Sequence, residues 1–491
     1  MPPETSPPKA TRLSLFRNWI SLMGMVVVIG ALFSFLLLFA LGAIAKFSNP
    51  YVSILTYIGV PAFLFLGIAL ALIGVWWERR RRAHGCSSTS LQIDLNKPRD
   101  RRGVVAFIAG SVVFLLLTAI CSYNAFNFTE SVTFCGETCH KVMRPENVTH
   151  ANGPHARVAC VECHVGNGVS WFVKSKISGS YQLYSVAFNK YPRPIGTPIK
   201  SLRPSRDTCE QCHWPQKFSG NLDRTFSYFQ ADASNSPYAI RLSIKIGGAD
   251  PSRGPVGGIH WHMVVGNEVE YIATDAARQK IPWVRTTDSQ GVVTVFRDAK
   301  FTNDISQFEI RKMDCMDCHN RPSHRYVAPD RAVNLAMDLG QIDRTIPWIK
   351  TNAVYVLTRK YDTDDQARDG IATALAEHYP NDPRIHDVIP VVQKIYRDNF
   401  FPEMKADWSK YPDNLGHMIW PGCFRCHDGK HKTVDKKQTI KANDCNTCHY
   451  ILAQGAGDEM NKLLPAGQKF NHPGGDLDEF PSCVDCHNGG P

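Results

Sequence analysis

Six times in this chain two cysteines stand three positions apart with a histidine directly after: Cys160/Cys163-His164, Cys209/Cys212-His213, Cys315/Cys318-His319, Cys423/Cys426-His427, Cys445/Cys448-His449 and Cys483/Cys486-His487. A seventh group, Cys135/Cys139-His140, has one residue more between its cysteines. Together they use fourteen of the sixteen cysteines and leave only Cys86 and Cys121, which read as bystanders. Disulfides and zinc sites are the ordinary uses of so many thiols. Neither demands one spacing repeated with a histidine each time. Covalent attachment of c-type haem does. Each thiol adds to one vinyl group of the porphyrin, and two intervening residues let both thiols reach one ring. The histidine that follows then ligates the iron. Porphyrins supply most of the apolar core in such a chain. The segment after Tyr411, dense in Cys, His, Gly and Lys, fits that expectation.

Upstream of the first motif lie three apolar runs, about Trp19 to Ala45, Tyr51 to Trp77 and Gly103 to Tyr123. A helix needs about 20 residues to cross a bilayer, and each run provides them. The first ends in Ala43-Ile44-Ala45, which resembles a signal-peptidase site. It exceeds the roughly 7–15 residues of a signal core, so we read it as an uncleaved anchor. Between the second and third runs come Glu78-Arg79-Arg80-Arg81-Arg82 and then Lys97, Arg99, Arg101 and Arg102. The positive-inside rule puts this loop in the cytoplasm, and everything after Tyr123 on the outer side of the inner membrane, where bacteria attach haem. The expected organisation is a cytoplasmic tail at 1–17, transmembrane helices at 18–45, 51–77 and 104–123, and an arginine-rich loop at 78–103. A four-haem domain at 124–326 with a small antiparallel β insertion follows, then a helical connector at 327–410 and a three-haem domain at 411–491.

Within the insertion, Tyr238–Ile246 alternates apolar and polar residues. Ile259–Val265 and Glu268–Ile272 flank Gly266-Asn267, a hairpin signal, and Val292–Phe296 is a further strand. From Asp330 to Asn399 the period is helical, interrupted by Pro347, Pro380 and Pro390. The formal charge of +10 is not a case for nucleic-acid binding. Two propionates per haem would add roughly fourteen negative charges for seven haems.

Eleven histidines lie outside the motifs. His84 falls in the cytoplasmic loop, and His378 and His386 read as surface residues of the helical segment. The others cluster near motifs. His260 and His262 share one face if their segment is a strand, and one of them is expected to bind iron. The expected distal ligands are therefore His155, one of His260/His262, His324, His417, His431 and His472, enough for haems two to seven. The first haem is left to Met143 or stays open.

Residues 104–326 resemble the NapC/NirT/NrfH family of membrane-anchored multihaem quinol dehydrogenases. The resemblance is carried by a helix leading into Cys135–His140, by His155, by Cys160-Val161-Glu162-Cys163-His164-Val165, by Cys209–His213, and by Cys315–His319 with His324. It implies that Met143 binds the first iron, that His324 serves the haem of His164, and that His155 serves the haem of His319. It also implies a lysine near the quinol, matched by Lys174 or Lys176; Gln182 stands where that family has a carboxylate. Over its full length the chain resembles the ImcH-type heptahaem inner-membrane cytochromes of metal-reducing bacteria.

The expected protein is an inner-membrane quinol dehydrogenase. It oxidises a quinol, menaquinol by expectation, and passes electrons through seven c-type haems to a periplasmic cytochrome or other acceptor in anaerobic respiration, with extracellular metal reduction as one destination. Proton acceptors and stabilising cations are sought among Lys176, Lys174, Lys141, Arg144, Glu146, Glu137 and His150. A homo-oligomer is left open. The competing readings are a reductase of nitrite or hydroxylamine at an open haem, and a passive electron wire.

Overall fold

The computed structural model describes residues 15–16, 18–45, 60–84, 94–138, 140–166, 168–197, 199, 202–247, 252, 257–263, 267–441, 444–475 and 483–490. The chain divides into two compact units, Met1–Thr129 with Val165–Ser180, and Glu130–His164 with Tyr181–Pro491.

The first unit holds the long helices α1 (Trp19–Ala45), α2 (Val60–Ala83) and α3 (Pro98–Thr129). Trp19–Leu36 and Val60–Ala83 are long and apolar enough to cross a membrane. Leu32, Phe33, Phe65 and Leu72 lie more than half exposed on their surfaces, as lipid-facing residues would. The second helix is expected from Tyr51; residues 51–59 fall outside the described part, and the helix continues through Arg79–Arg82 to Ala83. The third apolar run lies within one unbroken helix, α3.

Helices α1 and α2 meet along small residues. A side chain at Gly24 would collide with the backbone of Ala71 and Gly67, and one at Gly67 with that of Gly24. Close backbone approach lets polar groups join in. Asn18 Nδ2 donates to the Gly74 carbonyl at 3.1 Å, and Ser21 Oγ to that of Ala71 at 3.0 Å. Packing of this kind suits lipid, where dispersion and interhelical hydrogen bonds replace the hydrophobic effect.

The second unit contains the seven motifs and two antiparallel sheets. One has the order β1-β2-β8, with β1 Leu222–Phe229, β2 Pro237–Ile244 and β8 His449–Gly455. The other has the order β6-β3-β4-β5-β7, built from β3 Glu268–Ile272, β4 Trp283–Thr287, β5 Val293–Asp298, β6 Arg311–Lys312 and β7 His431–Lys432. The segment 411–491, expected as a domain of its own, therefore lends β7 to β5 and β8 to β2 and is woven into the same unit.

The expected strand Ile259–Val265 is instead a 3₁₀ turn, Ile259–Met263, and β3 pairs with β4 and β6 in place of the expected hairpin partner. Residues 264–266 fall outside the described part. Gly258, at φ +80°, leads into the turn at a point where a side chain would collide with the Lys245 carbonyl.

The helical segment appears as four helices, Pro329–Asp338, Ile349–Thr358, Asp364–His378 and Ile385–Asn399. Thr363 caps the third by accepting from Gln366 N at 3.2 Å. Their inner faces bury Val333, Leu357, Ile371, Leu375 and Val388 almost completely, with Ile346 from the loop before the second helix.

Candidate haem-ligating histidine pairs

Six of the motifs begin on or lie in a short helical turn. The turns are Cys160–His164, Ser205–Cys209, Cys315–Cys318, Gly422–Arg425, Cys445–Thr447 and Cys483–Cys486. In four motifs the histidine N–H donates to the carbonyl of the first cysteine: His213 to Cys209 at 2.8 Å, His319 to Cys315 at 2.8 Å, His427 to Cys423 at 3.0 Å and His487 to Cys483 at 2.7 Å. The irregular motif behaves differently. Phe134–Thr138 winds as a π turn, whose i→i+5 bonding makes a wider loop than the α-helix. A wider turn accommodates the extra residue before the second thiol. Gly136 packs so closely on Asn147 that a side chain there would lie 2.5 Å from its Oδ1. Cys139 and the His140 side chain lie outside the described residues.

The thiols differ in how far the protein encloses them. Cys209 is half-buried, but Cys212 is exposed, as are Cys163, Cys423 and Cys486. The reason is local. The helical turn Ser205–Cys209 ends at the first thiol, and Cys212 follows in a looser turn, its N–H bonded to the Cys209 carbonyl at 3.1 Å. Cys212 is open at the surface of the described residues, and its spacing from Cys209 and the placement of His213 mark it as an attachment thiol. An exposed thiol is open to attack on a porphyrin vinyl group, and reactivity of a cysteine follows its exposure.

Six motif histidines each face a histidine from elsewhere in the chain. The ring centres are 6.1 Å apart for His164 and His324, 6.1 Å for His213 and His155, and 6.4 Å for His319 and His260. They are 6.0 Å apart for His427 and His262, 6.3 Å for His449 and His417, and 6.0 Å for His487 and His472. Two imidazoles on opposite sides of one metal ion, each bonded at about 2 Å, have ring centres about 6 Å apart. The six pairs fit iron between them.

The hydrogen bonds set the tautomer. His155 Nδ1 bonds to the Pro322 carbonyl at 3.0 Å. His260 Nδ1 bonds to that of Ile246, His262 Nδ1 to that of Ile259 and His324 Nδ1 to that of Glu146, each at 2.9 Å. A proton on Nδ1 leaves the Nε2 lone pair for a metal, the usual outer support of a ligating imidazole. Burial also pushes His262, His417 and His487 below the ordinary histidine range, and His324, His427 and His449 down to about 4. These rings stay neutral, the form that ligates.

His431 is the exception, and the structure removes it from the expected ligand set. Its Nδ1 is 2.8 Å from Asp428 Oδ1 and its Nε2 is 2.7 Å from the Ile281 carbonyl, so neither nitrogen has a lone pair to offer. Burial works against its charge, yet the bond and charge of Asp428, with the bond to the Ile281 carbonyl and the charge of Asp298, together outweigh it and hold its pKa above the usual value. His260 and His262, by contrast, each face a different motif histidine, His319 and His427. The expectation that only one of them ligates rested on strand geometry. In a 3₁₀ turn each residue advances about 120°, so neighbours two apart point different ways. The pairing of His155 with His319 is likewise replaced, since His155 faces His213.

Two half-buried arginines carry enclosed nitrogens that would suit the acidic edge of a haem. Nε and Nη1 of Arg203, and Nε and Nη2 of Arg321, are buried without a hydrogen-bond partner among the described residues. Arg321 lies over the Tyr326 and Tyr411 rings, 4.9 Å and 4.2 Å from their centres. A buried guanidinium without an acceptor is costly, and a propionate supplies one. Sequence reading passed over both arginines; the one signal was the position of Arg321, two residues after His319.

Of the residues expected near a quinol, Glu137, Lys141, Met143, Arg144, Glu146 and His150 belong to the haem unit, while Lys174 and Lys176 belong to the membrane unit. Glu137 and Lys141 are exposed and Met143 is half-buried. Glu146 accepts from the Tyr326 hydroxyl at 3.3 Å, and burial raises its pKa against the opposing charge of Arg321. Arg144 forms an ion pair with Asp364. His150 is buried with Nε2 2.9 Å from the Val158 carbonyl. Lys174 Nζ lies 4.5 Å from the centre of the Trp171 ring and Lys176 Nζ 4.9 Å from that of Phe172.

The attachment motifs come together in chain order. The Cys160 thiol hydrogen-bonds with Cys135 and that of Cys209 with Cys315. Cys163 and Cys212, Cys318 and both Cys423 and Cys426, Cys448 and Cys423, and Cys483 and Cys445 lie near enough for one thiol's ionisation to raise the other's pKa.

Apolar helices long enough to span a bilayer, repeated haem-attachment turns and opposed neutral imidazoles define a membrane-anchored multihaem c-type cytochrome, an electron-transfer protein. Residues 97–194 match the N-terminal region of the NapC/NirT cytochrome c family, and this chain belongs to that family. It is 41% identical over 490 residues to the cytochrome c-type protein ImcH of Geobacter sulfurreducens, covering 96% of this chain and 95% of that one. No solved structure matches the chain.

Proposed function

We propose that the protein is an inner-membrane quinol dehydrogenase that carries seven c-type haems and feeds electrons, one at a time, to a periplasmic acceptor. The observation that carries this reading is the row of six opposed histidine pairs joined motif to motif in chain order, with the seventh motif six residues after α3 ends at Thr129. Bound haem supplies one-electron redox chemistry. The chain's own residues set which haems are sealed and which is open. Distal histidines His155, His260, His262, His324, His417 and His472 close haems two to seven. The first, attached at Cys135 and Cys139 with His140 and Met143 nearby in sequence, has the weaker sixth ligand and is the entry point.

Oxidation of a quinol to a quinone releases two electrons and two protons. Glu146 has a raised pKa, which suits a group that must take a proton near neutral pH and pass it on. Lys141 is the nearest lysine in sequence to His140 and supplies positive charge for a developing quinolate. The arginines at the end of α2, Arg80, Arg81 and Arg82, hold that end in the cytoplasm and leave the haem unit in the periplasm.

Intact mass and a pyridine-haem assay should give seven haems per chain, and a menaquinol analogue should reduce the detergent-solubilised protein. Replacing Met143 with Ala should slow that reduction while dithionite still reduces the other haems. Six haems with free Cys135 and Cys139, or a normal rate in the Met143 variant, would remove the first haem as the entry point.

A further inference from the structure

The turn Ile259–Met263 carries the two histidines that the sequence alone could not separate, and its surroundings show why both have a role. It is pinned to the end of β2. Ile259 N donates to the Lys245 carbonyl at 2.8 Å, and His260 Nδ1 bonds to the Ile246 carbonyl. Lys245 N in turn donates to the Cys448 carbonyl at 2.9 Å. Between the two histidines, Trp261 packs on the core of the five-stranded sheet with Val269, Tyr271, Met313 and Cys426. From this anchored turn His260 meets His319, nearly parallel at 3° between ring planes, and His262 meets His427 edge-on at 82°.

The far side of the same two motifs is cross-linked as well. Asp317 lies between the cysteines of one motif and Arg425 between those of the next. Asp317 is 2% exposed. Its Oδ1 accepts from the Tyr271 hydroxyl at 2.5 Å and from Arg278 Nη1 at 3.0 Å, and its Oδ2 accepts from Asp314 N at 2.8 Å. Arg425 Nη2 donates to the Asp317 carbonyl at 2.6 Å, Nη1 to that of Arg278 at 2.9 Å and Nε to that of Gly422 at 2.8 Å. Asn414 Nδ2 adds a second donor to the Asp317 carbonyl at 3.0 Å. The two attachment turns cannot shift independently without breaking this buried network, and buried polar groups left unpaired are costly.

We propose that residues 259–263 form a two-haem clamp: His260 is the distal ligand of the haem attached at Cys315 and Cys318, and His262 that of the haem attached at Cys423 and Cys426. The fourth and fifth haems are then one rigid pair, held on the proximal side by Asp317 and Arg425 and on the distal side by a single turn. They join what the sequence presents as two haem groups separated by a helical segment. The clamp rests on the haem-binding reading above and specifies two of its sites.

The test uses the full-length protein in detergent. Carbon monoxide binds reduced haem only where the sixth position is open. His260→Gly and His262→Gly should each create one additional CO-binding haem per chain, and the double variant two. Added imidazole should restore the low-spin spectrum in each, which a merely misfolded variant would not allow. His260→Met and His262→Met keep a ligand and should each raise the midpoint potential of one haem. The clamp is overturned if either glycine variant gains no CO-binding haem, or if the double variant gains only one. Peptide mass spectra of the unmodified protein separate this outcome from a deeper failure. If peptides spanning Cys315–His319 and Cys423–His427 lack haem, the haem reading itself falls, and the clamp with it.

Discussion

Replacing His431 with Ala tests the rule used to choose the ligands. The rule is that an imidazole with both nitrogens hydrogen-bonded to protein is structural, however near a haem motif it sits. His431 is 1% exposed and joins Asp428 to the Ile281 carbonyl. A hydrogen bond to a charged partner contributes about 1.5–3 kcal/mol, and leaving the Ile281 carbonyl unpaired costs about 1 kcal/mol or more. The loss should total about 3 kcal/mol, which lowers a melting midpoint by several degrees. The pH dependence has a definite sign. The folded pKa of His431 is raised by Asp428, so its contribution is complete below the unfolded value of about 6.5 and is lost as pH rises through the folded value. The difference in melting midpoint between the parent protein and the variant should therefore be larger in mildly acid solution than in alkaline solution. Melting would be followed by circular dichroism in detergent, and haem ligation by CO binding and magnetic circular dichroism on the same samples. The count of low-spin haems should not change. A new CO-binding haem in the variant would refute the reasoning and return His431 to the ligand set.

Three further outcomes follow from the same geometry. His417→Gly, made alongside His431→Ala as its contrast, should open one haem to CO, since His417 faces His449 at 6.3 Å. Arg321→Leu should lower the midpoint potential of one haem in a redox titration, because removing a buried cation favours the ferric state; an unchanged titration would show that its unpaired nitrogens face no haem. Gly24→Leu should disrupt the hairpin of α1 and α2 at a cost of about 1–3 kcal/mol, read as faster proteolysis of the solubilised protein, whereas Gly30→Leu, which meets nothing within 4 Å, should not.

The attachment sites were legible because their chemistry fixes a short local spacing, and a spacing is visible in sequence. Enclosure is not: nothing in Cys-Glu-Gln-Cys-His announces that Cys209 is half-buried and Cys212 exposed. The helices of 329–399 were legible for a related reason, since an inward face at helical period reads directly as a pattern of apolar residues. The distal ligands were less so. Nothing local marks the partner of a motif histidine, which comes from as far away as His155 for His213 or His262 for His427. His431 shows how proximity misleads: it follows His427 by four residues, yet Asp428, only one residue after His427, claims it. The two histidines at 260 and 262 failed as a strand prediction because alternation at His-Trp-His satisfies the strand period. The glycine before the turn, with its φ of +80°, was the better signal of a break. Arg203 carried no pattern and Arg321 only its place two residues after His319; both stand out when buried nitrogens lack partners among the described residues.

Where the core lies says what the haem unit depends on. The cluster of near-zero exposure is concentrated in 333–400, joined by Phe229, and consists of ordinary aliphatic and aromatic packing. Among the described residues of the haem unit, the stretches carrying motifs two and three, 160–164 and 181–213, contribute only Ser185 and Ser205 to the buried set, and no buried hydrophobic residue. A stretch of that length cannot offset its backbone entropy, about 1–2 kcal/mol per residue, by hydrogen bonds alone. Haems attached at these motifs, as proposed above, would bring the apolar surface it lacks, and covalent attachment would tie their contribution to folding. The helical segment is thus better understood as the self-sufficient part of the unit than as a spacer. It keeps an ordered surface, bearing Arg144's partner Asp364 and the Phe401 ring beneath that guanidinium at its edge, against which the first haem-bearing turns can assemble.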